Sequence, residues 1–213
     1  MRIPDLTVPI PPKFPRKGSK TMTIKINNRM IPGTQMDKEA MGNVTGLAFL
    51  DKIFYIQQGI MLAQIRDISG IDGSTLQNWV KRGWTGNAIN KKYSKDQLSR
   101  ILLINMMRQA LQLEKIDYLL HYINGDINSK DDDIIPESKL YDYVCRIVDA
   151  VSGETVYDTN DLRRCIAEMT VDHPEIFPGA RDRLNCVLEI IVTAYNASLL
   201  ADYANAELQK FSL

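Results

Sequence analysis

Apolar residues recur at helical spacing through most of this chain, and the intervals between them mark the elements. Leu62, Ile65 and Ile68 predict one short helix, and Leu76, Trp79 and Val80 predict a second. Between them lies Ser69-Gly70-Ile71-Asp72. A glycine here takes positive φ and lets the chain turn sharply, Ile71 plugs the turn from inside, and Asp72 is a good N-cap for the second helix. Gly83 ends that helix. Trp84 to Lys92, rich in Gly and Asn, reads as a loop or small hairpin that delivers Lys91, Lys92 and Tyr93 together. Ser94 then caps a third helix from Lys95, with Leu98, Ile101, Leu102 and Met106 on its buried side. After a break near Gln112, Ile116, Leu119, Leu120 and Ile123 predict a fourth.

Residues 43–59 predict a helix preceding this group, through Leu47, Phe49, Leu50, Ile53, Phe54 and Ile56. Leu140, Val144, Ile147, Val148 and Val151 give another stripe, and Asp161 to Met169 a shorter one. Ala180 to Phe211 reads as one long helix with Leu184, Leu188, Ile191, Val192, Tyr195, Leu199, Tyr203 and Leu208 as core positions. Around Val187 to Ala194 it is apolar on nearly all sides, so it must be covered on more than one face. Such a helix suits the centre of a helical domain, a dimer interface, or both.

The second short helix leaves Ser74, Thr75, Gln77, Asn78 and Lys81 outside its apolar stripe. In a helix-turn-helix unit that helix enters the major groove of DNA and presents its N-terminal residues to bases. Gln and Asn pair bidentately with adenine, and Ser and Thr bond phosphates or bases. A solvated helix face explains the same residues and stays open as the alternative. The loop sharpens the picture, because Lys91, Lys92 and Tyr93 beside a helix N-terminus suit a phosphate.

The run ISGIDGSTLQNWVKRGW…KKYSKDQL resembles the DNA-binding domain of the MerR-type regulators, with their Gly turn, T-[LI]-x-x-[YW] recognition helix and basic–Tyr–[ST] wing signature. More closely, NWVKRGW…KKYSKDQL…LLINMMRQALQLEKIDYLL is similar to the bacterial family known as domain of unknown function 1836, itself regarded as MerR-like. The resemblance covers residues 60 to 124 and implies that Thr75, Gln77, Asn78, Lys81, Lys92 and Tyr93 face DNA. Two positions depart from the MerR pattern. Gln77 stands where an Arg is usual, and Val80 where an acidic residue is usual. The first change weakens a phosphate or base contact.

Composition narrows the class further. A hydrophobic share of 45% and a charged share of 24% suit a chain that buries a core. The formal net charge of zero hides an asymmetry: residues 1–115 carry an excess of about ten basic groups, and residues 116–213 an equal acidic excess. A basic reader joined to an acidic module is what phosphate attraction favours. No apolar run suited to crossing a bilayer is expected, and MRIPDLTVPIPP has no apolar core of a signal peptide, so a cytoplasmic location is expected. Cys145, Cys165 and Cys186 are odd in number and widely spaced, so they read as core thiols and not as a disulfide framework.

Residues 1–42 read as an extended N-terminal arm, with prolines at 4, 9, 11, 12, 15 and 32 and the basic cluster Lys13, Arg16, Lys17 and Lys20. Asn124 to Pro136, with Asp131, Asp132 and Asp133, reads as a solvated linker, since its spacing misses a calcium loop. There is no phosphate loop, GxSxG, HExxH or paired-cysteine site, and His121 and His173 stand alone, so no catalytic, metal or cofactor site is expected.

The predicted fold is mainly α. A MerR-like winged helix-turn-helix domain over 43–124 joins an α-helical C-terminal module over 137–213 with one long helix. The expected function is sequence-specific binding of double-stranded DNA by a homodimer that regulates transcription, with room for a small-molecule effector on the C-terminal module. A protein-interaction adaptor that keeps the fold without binding DNA is one rival. A ligand-binding protein acting through its C-terminal domain is the other.

Overall fold

The computed structural model describes residues 29–125, 133–151 and 159–211. In chain order the described residues form α1 (Gly46–Phe54), β1 (Ile60–Met61), α2 (Leu62–Ser69), α3 (Gly73–Lys81), β2 (Lys92–Tyr93), α4 (Lys95–Met107), α5 (Leu113–Asn124), α6 (Glu137–Val151), α7 (Thr159–Met169) and α8 (Ala180–Gln209). The chain is mainly α, and β1 pairs antiparallel with β2 in a two-stranded ribbon.

Helix α4 lies at the centre. The sequence pattern assigns it one buried side, but Leu98 to Ile104 are all buried, with Met106 and Met107. The reason is tertiary: α2 and α5 pack on it from the N-terminal half, while α6 and α8 pack on it from the C-terminal half. Helix α1 also packs on α6. The acidic linker expected over 124–136, of which residues 126–132 lie outside the described residues, therefore separates stretches of chain and not hydrophobic cores. Among the described residues the helices of 43–124 and those of 137–213 contribute to one hydrophobic core.

Of the expected N-terminal arm, residues 1–28, with the basic cluster Lys13, Arg16, Lys17 and Lys20, lie outside the described residues. Residues 29–42 are not an extended arm. Met30 bridges Asp37 across a turn, Ile31 is fully buried, and Tyr141 donates its hydroxyl to the Pro32 carbonyl at 2.7 Å. Gly33 has φ +75, and a Cβ there would sit 2.6 Å from the Leu102 carbonyl oxygen. Only glycine lets this turn press against α4.

Helix α8 spans 30 residues, and by length and composition it is apolar enough to cross a membrane. This amends the expectation that no such run exists. However, 44% of its most apolar window is buried inside the protein. Leu184, Val187, Leu188, Ile191, Val192, Ala194 and Tyr195 all join the core, as a helix wrapped by α4, α5, α6 and α7 requires. The pattern also assigns Tyr203 and Leu208 to the core. They are 42% and 64% exposed, because the body ends near Ser198 and the last turns run past it.

The two histidines sit differently, His121 half-exposed and His173 buried. His121 Nδ1 contacts the Asp117 carbonyl at 2.9 Å one turn earlier. His173 is buried edge-on against Tyr143, and neither ring nitrogen makes a hydrogen bond of normal geometry among the described residues. Burial lowers its pKa from 6.5; the Ile134 backbone and Glu175 oppose this, and Lys139 and Arg181 reinforce it. The unfolded chain therefore takes up this proton first as pH falls. The stability held by neutral His173 is complete above pH 7 and declines as pH drops below about 6.5. Denaturant midpoints at pH 7.5 and 5.5 should differ, and the difference should shrink in His173→Phe. An unchanged difference would contradict this.

Candidate nucleic-acid interface

The turn between α2 and α3 is built as the sequence predicts. Gly70 has φ 71 and ψ 8, and its N–H donates back to the Arg66 carbonyl at 2.9 Å. Ile71 is buried beneath the turn. Ser69 donates its hydroxyl to the Ile65 carbonyl and accepts the Ile71 N–H, and Asn105 of α4 donates to the carbonyls of both Gly33 and Ser69. The turn is thus fixed from below by α4 and by the docked 29–42 segment.

Asp72 caps α3. Its carboxylate accepts the Thr75 N–H at 2.8 Å and the hydroxyls of Ser74 and Thr75. These bonds, Ser74 first, hold its carboxyl well below the usual carboxylate range. One consequence is that Ser74 and Thr75 already spend their hydroxyl protons on Asp72, so toward a ligand they act as acceptors. A second is that a permanent negative charge sits at this helix end, so a phosphate is disfavoured there and base edges are the better partners.

Leu76 and Trp79 bury the inner face of α3, with Val80 half-buried beside them. Gln77, Asn78 and Lys81 are exposed on the opposite edge. No helix packs over that edge among the described residues; α3 rests on α2. Arg82 at its end is committed, stacking on the Trp84 ring at 5.1 Å and lying 3.6 Å from Glu114.

The loop after α3 is a hairpin. Ile89 and Lys92 exchange two backbone hydrogen bonds of 2.9 Å, and the turn residues Asn90 and Lys91 have φ 51 and 62. Both lie in the left-handed region, as a type I′ turn demands. Gln97 closes a capping box with Ser94 and donates to the Asn87 carbonyl at 2.8 Å, and Arg100 donates to the Trp84 carbonyl at 2.8 Å. Two residues one turn apart on α4 therefore pin the hairpin base.

The expected site residues fall into three groups. Gln77, Asn78, Lys81, Lys91 and Lys92 are exposed, and none of these lysines has an ion-pair partner among the described residues. Ser74 and Thr75 are engaged by Asp72. Tyr93, expected as a phosphate donor, pairs with Ile60 in the ribbon and is only 7% exposed, because the strand alternation turns its ring into the core. The expected phosphate site at the α4 N-terminus is also filled. Ser94 and Gln97 satisfy the cap, Lys95 is paired with Asp51, and Asp96 accepts the Ser138 N–H. Arg66, outside the expected site residues, lies against the start of α3, its Cδ 3.5 Å from where a Cβ on Gly73 would be. Its one signal is position, a basic residue four before the turn glycine.

The cysteines stay as expected in part. Cys145 is fully buried, which pushes its thiol up to about 12, while Cys165 is half-buried and Cys186 exposed. Among the described residues no cluster of three or more His, Cys, Asp or Glu is arranged to hold a metal.

Residues 48–144 match the family model described as a domain of unknown function (DUF1836), which supports the resemblance to that family. The match runs from α1 into α6, across the acidic segment, in keeping with the packing of α1 and α4 on α6. No curated protein and no solved structure matches the chain.

Proposed function

We propose that this protein is a cytoplasmic, sequence-specific DNA-binding regulator of transcription that acts as a homodimer and reads DNA through a MerR-like winged helix-turn-helix. The observation that carries this reading is the polar edge of α3, where Gln77, Asn78 and Lys81 stand exposed, together with the exposed hairpin cations Lys91 and Lys92, which have no ion-pair partner among the described residues. Gln77 and Asn78 have the donor–acceptor pairs that recognise adenine in the major groove, and Lys81, Lys91, Lys92 and Arg66 supply charge for phosphates. The hold of α4 on both the α2–α3 turn, through Asn105, and the hairpin base, through Gln97 and Arg100, supports the same reading, since groove recognition needs their spacing fixed. The exposed end of α8, with Leu200, Tyr203 and Leu208 on its surface, supports a two-fold partner that would cover it and place two copies of α3 on a symmetric operator.

Binding of genomic fragments measured across a salt series tests the proposal. Affinity should fall steeply with salt, and Lys92→Ala should make the log–log slope shallower by about 1 at an otherwise unchanged melting temperature. If wild-type protein binds no duplex at low salt, DNA binding is excluded and the adaptor reading takes its place.

A further inference from the structure

The hairpin carries more than charge. Lys92 faces Met61 across the ribbon and Ile89 across the hairpin, so all three side chains lie on one face of the strands. Their neighbours Ile60 and Tyr93 point the other way, into the core. The outward face is therefore a row of Met61, Lys92 and Ile89, with Ile89 77% exposed and Met61 55% exposed. An isoleucine this exposed adds little to the protein's own core. The adjoining turn is equally uneconomical for folding alone. Its second position, which glycine serves best in a type I′ turn, is held by Lys91 at φ 62. A β-carbon there strains the backbone, because it crowds the following carbonyl oxygen. The tip thus presents an apolar side chain flanked by two lysines without ion-pair partners among the described residues, on a base pinned by Gln97 and Arg100.

We propose that Ile89 is a wedge that the hairpin drives into the minor groove of duplex DNA, with Lys91 and Lys92 held against the phosphates on either side. The inference rests on the DNA-binding reading above and adds a second, deformation-based source of specificity to it. The chemistry favours this occupant over an apolar protein surface, because two flanking cations at a hairpin tip complement a polyanion. The minor groove, about 6 Å wide, admits a single branched side chain, and apolar wedges there partly unstack a base step and kink the duplex. Pyrimidine–purine steps such as TA and CA yield most easily, so preferred sites should carry one at a fixed distance from the bases read by α3.

The test uses the full chain and a bound genomic fragment labelled at both ends, so that energy transfer reports the bend while anisotropy reports affinity. Ile89→Ser should weaken binding about tenfold, the equivalent of losing one buried aliphatic side chain. It should also abolish the bend and leave the salt slope unchanged, whereas Ile89→Leu should keep both affinity and bend. Lys91→Ala should do the opposite, lowering the slope while the bend persists. Because Ile89 lies on the surface, both variants should melt with the wild type. Should wild-type protein bind and bend DNA no differently from Ile89→Ser, the wedge is overturned while DNA binding stands, and the apolar row is then a protein contact. Absence of any wild-type binding overturns the wedge together with the reading beneath it.

Discussion

Replacing Arg100 by methionine should destabilise the protein by about 3–5 kcal/mol, the cost of leaving a buried ion network with one sign of charge. Arg100 is 2% exposed in the middle of α4. Its Nε donates to the Trp84 carbonyl, its Nη1 lies 3.1 Å from Glu137 Oε1, and its Nη2 faces Asp117 at 3.6 Å. One guanidinium thus ties the hairpin base, α5 and α6 together. Without it, Glu137, itself 7% exposed, keeps a carboxylate in the core with its main cation gone. Methionine fills most of the volume, so the loss reads chiefly the charge. The double variant Arg100→Met, Glu137→Leu should recover part of the loss, since removing both partners of a buried pair is far less costly than removing one. Urea midpoints of wild type, Arg100→Met, Glu137→Leu and the double variant decide the matter. A single variant within 1 kcal/mol of wild type would show that water reaches the network and screens it.

The double variant Gln77→Ala, Asn78→Ala should collapse discrimination between a selected site and random DNA, on the order of a hundredfold or more, because each bidentate base contact contributes about 1–3 kcal/mol. Both side chains are exposed and make no contact that the core needs, so the fold and the melting temperature should be retained. Non-specific binding and its salt slope should survive too, because the lysines are untouched. The comparison separates base reading from phosphate attraction. Equal loss on specific and random DNA would remove these two residues from the reading role. Asp72 adds a check: its charge at the α3 N-terminus should make phosphate crowding there unfavourable, so Asp72→Asn should raise non-specific affinity even as the cap weakens.

Much of the architecture was legible because it is locally encoded. Asp72 and Ser94 cap their helices as their side-chain chemistry dictates, and Gly70 adopts the left-handed turn that ends α2. The apolar periods of α2, α3, α5 and α6 mark the faces that are buried in the structure. Each of these depends on residues within one or two turns of one another. The exposed edge of α3 follows in the same way, as the complement of a stripe fixed by Leu76 and Trp79.

What the pattern could not supply were the partners across space. Tyr93 carries a polar tip beside two lysines, yet its register against Ile60 decides that the ring is buried. Even within one turn the outcome needs coordinates: the N-cap geometry brings the Asp72 carboxylate within hydrogen-bond reach of the Ser74 and Thr75 hydroxyls and so engages them. The all-round burial of α4, the docking of residues 29–42 and the Arg100 network join segments 16 to 109 positions apart. Likewise, the period of α8 continues past Ser198 although the body beneath it stops, so Tyr203 repeats the pattern without the burial. By itself the sequence determined which stretches are helical, where they begin, and which short helix offers polar side chains outward. Only the tertiary structure decided which of those side chains remain available, because availability is set by neighbours that loop closure brings together and not by spacing along the chain.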